Sequence, residues 1–328
     1  MRTPFKVEGR GSTHAPGAVL VLVGPTAVGK TAFALELAEQ LDGEIVSADS
    51  RCLYRGMDIG TAKPTPAERA RVPHHLIDVT TPDRAWSLTQ FQAAAFDAIR
   101  AIQARGRRAL LVGGTGQYIR TVVEGWQVPP GNPDGALRAE LEAVLADAGV
   151  GALAARLLHV DPASAALIDL RNPRRVIRAL EVALTTGESF VAQRRKSAPP
   201  FASVIVGLTR PRPELYARID ARVEAMLAAG LVDEVKTLAG QGYGWELPAM
   251  SALGYKQIGQ YLRGGCDLAE AVRCIKSDTR VFVRRQANWF KPADAAIRWF
   301  EADRVTPEAV LRAAGARLSY ENAPGTDA

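Results

Sequence analysis

Short, unbroken apolar runs alternate with longer amphipathic stretches in the first third of this chain. Residues 18–23 (AVLVLV) form a valine-rich run, the pattern of a strand buried on both faces of a parallel sheet. The stretch AFALELAEQL, starting at Ala32, has helical period and strong helix formers. Residues 44–48 (EIVSA) and 109–112 (ALLV) read as further strands, so residues 17 to about 124 are predicted to alternate strand and helix. Residues 127–135 (QVPPGNPDG) break the pattern with three prolines. Alanine-rich helical segments follow to about residue 190: ALRAELEAVLADAG, ALAARLLHV and PRRVIRALEVALTTG. The stretch RRKSAPPF ends them, residues 202–208 (ASVIVGL) return to a strand, and the chain beyond Pro213 is predicted to be mainly helical. A helical insertion between strands of one parallel sheet accounts for this order. The expected organisation is a disordered polar leader (1–16), a core from 17–130 and 200–320, an inserted helical domain (131–199) and a frayed tail (321–328).

Between the first strand and the first helix lies GPTAVGKT: Gly24, Pro25, Thr26, Ala27, Val28, Gly29, Lys30 and Thr31. Strand, G-x-x-x-x-G-K-T and helix occur in the order that a phosphate-binding loop requires, which predicts an α/β P-loop NTPase-like core. The glycines let backbone N–H groups turn inward and the helix N-terminus adds partial positive charge. Lys30 supplies a cation, and the Thr31 hydroxyl is placed to reach a Mg2+ ion. The motif binds a di- or triphosphate, ATP included, without naming the molecule that carries it. Nucleotide hydrolases often place an acid at the end of a second strand. Here residues 109–112 run into Gly113-Gly114-Thr115-Gly116 with no acid, which weakens a hydrolase reading.

Charge and cysteine content narrow the setting. The 328 residues are 47% hydrophobic with a net charge of +6, the balance of a globular protein with a plausible acidic-polymer partner. Three scattered cysteines, Cys52, Cys266 and Cys274, fit a reducing cytosol better than a disulfide framework, and a cytoplasmic location is expected. No cysteine–histidine spacing suggests zinc, and the adjacent His74 and His75 would diverge on a strand, favouring a structural role. The first apolar run is too short for a membrane span and leads directly into the phosphate loop, unlike a signal peptide.

The motifs GPTAVGKT, DSRCLYRGMDIGTAKP (49–64), HHLIDV (74–79), VGGTGQYI (112–119), NPRRVIRALEV (172–182), LYARIDARVEAML (215–227), LGYKQI (253–258) and RRQANWF (284–290) keep one order across most of residues 17–291. In these the chain resembles the tRNA dimethylallyltransferases, also called tRNA isopentenyltransferases. The resemblance implies a phosphate-loop core with an inserted helical domain. It implies transfer of a dimethylallyl group from dimethylallyl diphosphate to the exocyclic amine of the adenine 3′ of the anticodon, in tRNAs reading codons that begin with U. A monomer acting on the anticodon stem-loop, with Mg2+, is expected. By the resemblance, Asp49 is the candidate base, Thr26 and Thr115 position the reacting groups, and Arg218, with Arg222 beside it, faces the diphosphate. Asp49, Ser50, Arg51, Cys52 and Thr115 are implied to lie against the RNA, as are Ser251, Gly254, Tyr255 and Lys256. Arg51 and Cys52 stand where the family varies, often with glutamine at the second position. Cys52 either touches RNA or packs, and Tyr255 either stacks on a base or belongs to the core.

The basic residues point the same way. Asn172 can cap a helix with Pro173 at its first position, placing Arg174, Arg175 and Arg178 on one face, and the whole stretch, Val176 and Ile177 included, is a candidate RNA contact. A second helix is expected to carry Arg280, Arg284, Asn288 and Lys291 along one side, with Arg285 and Gln286 beside them as candidate base contacts. Three other readings stay open: a P-loop small-molecule kinase, an adenylate isopentenyltransferase acting on free nucleotide, and a non-catalytic RNA-binding module. The first leaves the 49–64 motif unexplained, the long basic C-terminal half argues against the second, and intact Lys30, Thr31, Asp49 and Thr115 argue against the third.

Overall fold

The computed structural model describes residues 17–127, 135–193 and 195–318. The leader and tail expected at 1–16 and 321–328 lie outside the described residues. The chain divides into two compact units, one of residues 1–85, 94–119 and 200–328, the other of residues 86–93 and 120–199.

The first unit opens with β1 (Val19–Val23), α1 (Lys30–Leu41), β2 (Gly43–Ser47), α2 (Pro66–Arg71) and β3 (His74–His75). Most of α3 (Leu88–Ala104) follows, then β4 (Arg108–Val112) and the start of α4 (Gly116–Val123). The second unit holds α5 (Ala136–Val160), α6 (Pro162–Leu167) and α7 (Pro173–Thr186). The chain then returns to the first unit with β5 (Ser203–Thr209), α8 (Arg212–Ala228), α9 (Leu231–Gly240), α10 (Tyr255–Leu262), α11 (Leu268–Gln286), β6 (Ile297–Glu301) and α12 (Pro307–Leu318).

All six strands pair in parallel in the order β3-β2-β4-β1-β5-β6. The central strand β1 is wholly buried, which its five consecutive apolar side chains permit, because helices cover both faces of a parallel sheet. Leu20, Leu22, Leu35, Leu37, Leu110 and Leu208 belong to the core beneath α1. A second cluster joins Met57, Leu231, Val235, Tyr255, Ile258 and Ile275. The edge strand β6 falls in a stretch where the sequence predicts mainly helix: IRWFE mixes charge with aromatics and, among the described residues, pairs with β5 alone.

In the second unit α5 packs on α7 through Leu141, Leu153, Leu157, Val176, Ile177 and Leu180. By length and composition α5 could cross a membrane. Gly149, at φ 76° and ψ 177°, splits it into two shorter helices, neither reaching the ~20 residues that a span needs. Asn172 caps α7 by accepting the N–H of Arg175, and Pro173 takes the first helical position.

Candidate active site

The loop after β1 keeps an unusual backbone that only certain residues allow. Gly24 has φ 149°, and a Cβ there would stand 2.6 Å from the Leu208 carbonyl oxygen. Ala27 holds φ 66°, a left-handed conformation that costs a residue with a Cβ. The Lys30 ammonium donates to the carbonyls of Gly24 (2.9 Å) and Pro25 (2.8 Å). Burial pulls the Lys30 pKa down to about 8; Asp49 works against that shift and Arg222 adds to it. From α8, the Arg218 guanidinium donates to the Ala27 carbonyl at 2.8 Å. Burial, and then Arg218 beside it, lower the Arg222 pKa, while Asp49 opposes. Three cations therefore converge on one loop, with Asp49 as the opposing charge. That concentration of positive charge suits a diphosphate.

Asp49 follows β2, and β4 lies between that strand and β1. Its turn is fastened from one side by the segment after β4. The Thr115 N–H donates to Ala48 O (3.3 Å), and the Ser50 N–H donates to Thr115 Oγ1 (3.1 Å). Close approach needs Gly113, where a Cβ would meet the Ala48 carbonyl oxygen at 2.3 Å. The Arg51 N–H donates to Asp49 Oδ1 (2.8 Å), closing an Asx turn that orients the carboxylate. Arg51 Nη1 reaches Pro248 O at 2.7 Å, linking this turn to the segment that carries Ser251.

Behind the turn lies a polar knot. The Asp78 and Thr80 N–H groups donate to Cys52 O and Leu53 O, each at 3.1 Å. Lys63 Nζ donates to Tyr54 O (2.8 Å), Asp58 Oδ1 (2.5 Å) and Asp78 Oδ1 (2.6 Å). Three successive carbonyls below Asp49 are thus pinned. Glu234 of α9 accepts the N–H groups of Asp58, Ile59 and Gly60 and the Tyr255 hydroxyl. The motif 49–64 therefore carries Asp49 at one end and a scaffold at the other.

Several expected RNA contacts prove structural. Tyr255 is fully buried, bonded to Glu234, and so belongs to the core. Gly254 is buried at the start of α10 with its N–H on Gln257. Val176 and Ile177 face the core of the second unit because they fall on the apolar stripe of α7. Cys52 is buried, and burial pushes its thiol pKa up, so it packs as a neutral group. Gln286 is 5% exposed, too enclosed to read a base. Arg280 is held by Asp220 at 2.6 Å, and α11 ends at Gln286, which leaves Asn288 and Lys291 off its face. Ser251, Lys256, Arg174, Arg175, Arg284 and Arg285 are exposed, while Arg178 is half-buried with Nη1 3.6 Å from Glu181.

Sequence reasoning missed Lys63, Glu234 and the bridging use of Gln286. A lysine inside a motif between two acidic positions was the available signal for Lys63; Glu234 had none. His75 pairs with Glu44 and His74 with the Val72 carbonyl. Among the described residues no group of three His, Cys, Asp or Glu could hold a metal.

The IPP transferase family model matches residues 52–293. The tRNA dimethylallyltransferase of Roseiflexus sp. (strain RS-1) is 55% identical over 286 residues, 85% of this chain and 94% of that one. That of Chloroflexus aggregans (strain MD-66 / DSM 9485) is 54% identical over 273 residues, 83% and 92% of the two chains. Among solved structures, the full-length tRNA isopentenylpyrophosphate transferase of Bacillus halodurans is 40% identical with a TM-score of 0.69, covering 92% of this chain and 97% of that one. A eukaryotic dimethylallyltransferase, caught in crystals acting on tRNA, shares the fold at 24% identity with a TM-score of 0.76, over 91% and 78% of the two chains. Matched by that family model and by these relatives over most of its length, the chain belongs to the IPP transferase family.

Proposed function

We infer that this chain is a tRNA dimethylallyltransferase. It moves a dimethylallyl group from dimethylallyl diphosphate to the exocyclic N6 of the adenine 3′-adjacent to the anticodon. The observation that carries this reading is the pairing of the cationic loop around Lys30 and Arg218 with the Asp49 turn, fastened through Thr115.

The chemistry follows from those groups. Adenine's amine is a poor nucleophile because its lone pair is delocalised into the ring. As N6 forms its bond to the allylic carbon, the carbon–oxygen bond to diphosphate breaks and the electron pair leaves on the phosphate oxygen. Asp49 accepts the amine proton. Lys30, Arg218 and the positive end of α1 stabilise the charge growing on diphosphate. Thr31, in the first turn of α1, would hold a Mg2+ ion, which supplies further charge neutralisation when bound. The adenine must leave its stack to reach this site, and contacts elsewhere on the RNA offset that cost. Arg174, Arg175, Arg284, Arg285 and Lys256 are the exposed cations that serve it, with phosphate contacts as their role.

The test incubates purified protein with dimethylallyl diphosphate, Mg2+ and an anticodon stem-loop bearing the target adenine, with free adenylate as a parallel acceptor. Mass spectrometry reads a gain of one isoprenoid unit on the RNA. Asp49→Asn should bind the stem-loop normally and turn over about 100-fold more slowly. Wild-type single-turnover speed in that variant would remove Asp49 from the role.

A further inference from the structure

We propose that Gln286 is a positioning residue that sets the register between the prenyl donor and the acceptor amine; this rests on the function inferred above. The donor loop follows β1, and the Asp49 turn hangs on the segment after β4 through Thr115. The last paired residues of β1 and β4 are Leu22 and Val112. One further backbone bond, from the Gly113 N–H to Leu22 O, ties the two ends at 3.2 Å.

Beyond that point the two loops are linked by a side chain. Gln286 Oε1 accepts the Thr26 N–H at 2.8 Å, and Gln286 Nε2 donates to the Gly114 carbonyl at 3.0 Å. The bridge joins positions 260 and 172 residues away in sequence. A primary amide suits this task, since it carries an acceptor and a donor on one rigid plane. Buried at the end of α11, it is held by the helix at one end and by two backbones at the other. Gln286 therefore fixes how far the diphosphate loop stands from the turn that carries the base, acting through the Thr26 and Gly114 backbones.

Gly114 offers an independent handle. A Cβ there would stand 2.4 Å from Gln286 Nε2, so alanine pushes the amide aside while leaving Gln286 in place. Its φ is not positive, so alanine meets no left-handed strain there.

Gln286→Met, Gly114→Ala and the double variant should be compared with wild type in the stem-loop assay. The readouts are single-turnover rate, stem-loop Kd by fluorescence anisotropy, KM for the diphosphate, and melting temperature. Each single variant should slow transfer by about 30- to 100-fold, the effect of a displacement near 1 Å, with the stem-loop Kd within about twofold of wild type. The double variant should be no slower than the slower single one, because both break the same bridge. Wild-type rates in both single variants, additive losses in the double, or a Kd rising in step with the rate loss would overturn the proposal. Should Gln286→Met fail to fold, Gly114→Ala carries the test alone. A wild-type protein that transfers nothing would instead sink the inferred function.

Discussion

Lys63 offers the sharpest test of how the 49–64 motif is held. Its side chain is 1% exposed, and its three acceptors are the Tyr54 carbonyl and the carboxylates of Asp58 and Asp78. Lys63→Met keeps the stem and removes the charge. Losing one partner of a fully buried pair costs about 3–5 kcal/mol. Here the cost should be smaller. Asp58 is 59% exposed and rehydrates, while Asp78 keeps Arg69 at 2.8 Å. The stranded Tyr54 carbonyl accounts for about 1–3 kcal/mol, so we expect a loss of about 2–3 kcal/mol. Equilibrium urea unfolding at pH 7, with Asp78→Asn closing a double-mutant cycle, measures both the loss and the coupling. A loss under about 0.5 kcal/mol, or coupling indistinguishable from zero, would refute the reasoning. Acid gives a second reading. Burial pushes the Asp78 carboxyl up, but hydrogen bonds from Lys63 and Arg69 outweigh it and hold the pKa below its usual value. A carboxyl depressed in the folded state stabilises above its unfolded value near 3.9, and that contribution drains away as pH falls through the folded one. The methionine variant should show a shallower loss of stability below about pH 4.

Other expectations follow from the same site. With its pKa near 8, Lys30 should take up a proton when diphosphate binds; calorimetry in buffers of different ionisation enthalpy at pH 8.5 checks this, and zero net uptake contradicts it. Because the folded chain sheds that proton before the unfolded one does, Lys30 favours folding increasingly from about pH 8 towards 10.4, visible as a rising midpoint in alkaline urea titrations. Arg174→Ala with Arg175→Ala should raise the KM for tRNA several-fold more than that for the diphosphate, and should flatten the salt dependence of RNA binding. Equal effects on both substrates would count against a dedicated RNA face on α7.

The sequence is most informative where local chemistry decides the outcome. Valine and isoleucine runs place β1, β2, β4 and β5 to within a residue or so, and the glycine loop falls between β1 and α1 as expected. Strand β6 escapes because its residues alternate neither cleanly nor apolarly at a sheet edge. Tyr255, Val176 and Ile177 sit inside motifs that suggest RNA, yet helical period turns each towards a core. The Asp49 turn is visible in the chain, whereas its fastening is not. Thr115 and Gln286 act through backbone atoms of distant residues and Lys63 through one carbonyl and two carboxylates, and nothing in a linear pattern marks which acceptor a lysine or an amide will find.

The strand order has a consequence for synthesis on the ribosome. Strand β1 can dock against β4 as soon as residue 112 has emerged, but its other flank waits for β5, about ninety residues later. At about 5–20 residues per second, a strand reading VLVLV keeps one row of amides uncovered for roughly 5–20 s. The nascent half-sheet is thus adhesive during that interval, the moment when a holdase or a slowed ribosome would most change the yield of active enzyme.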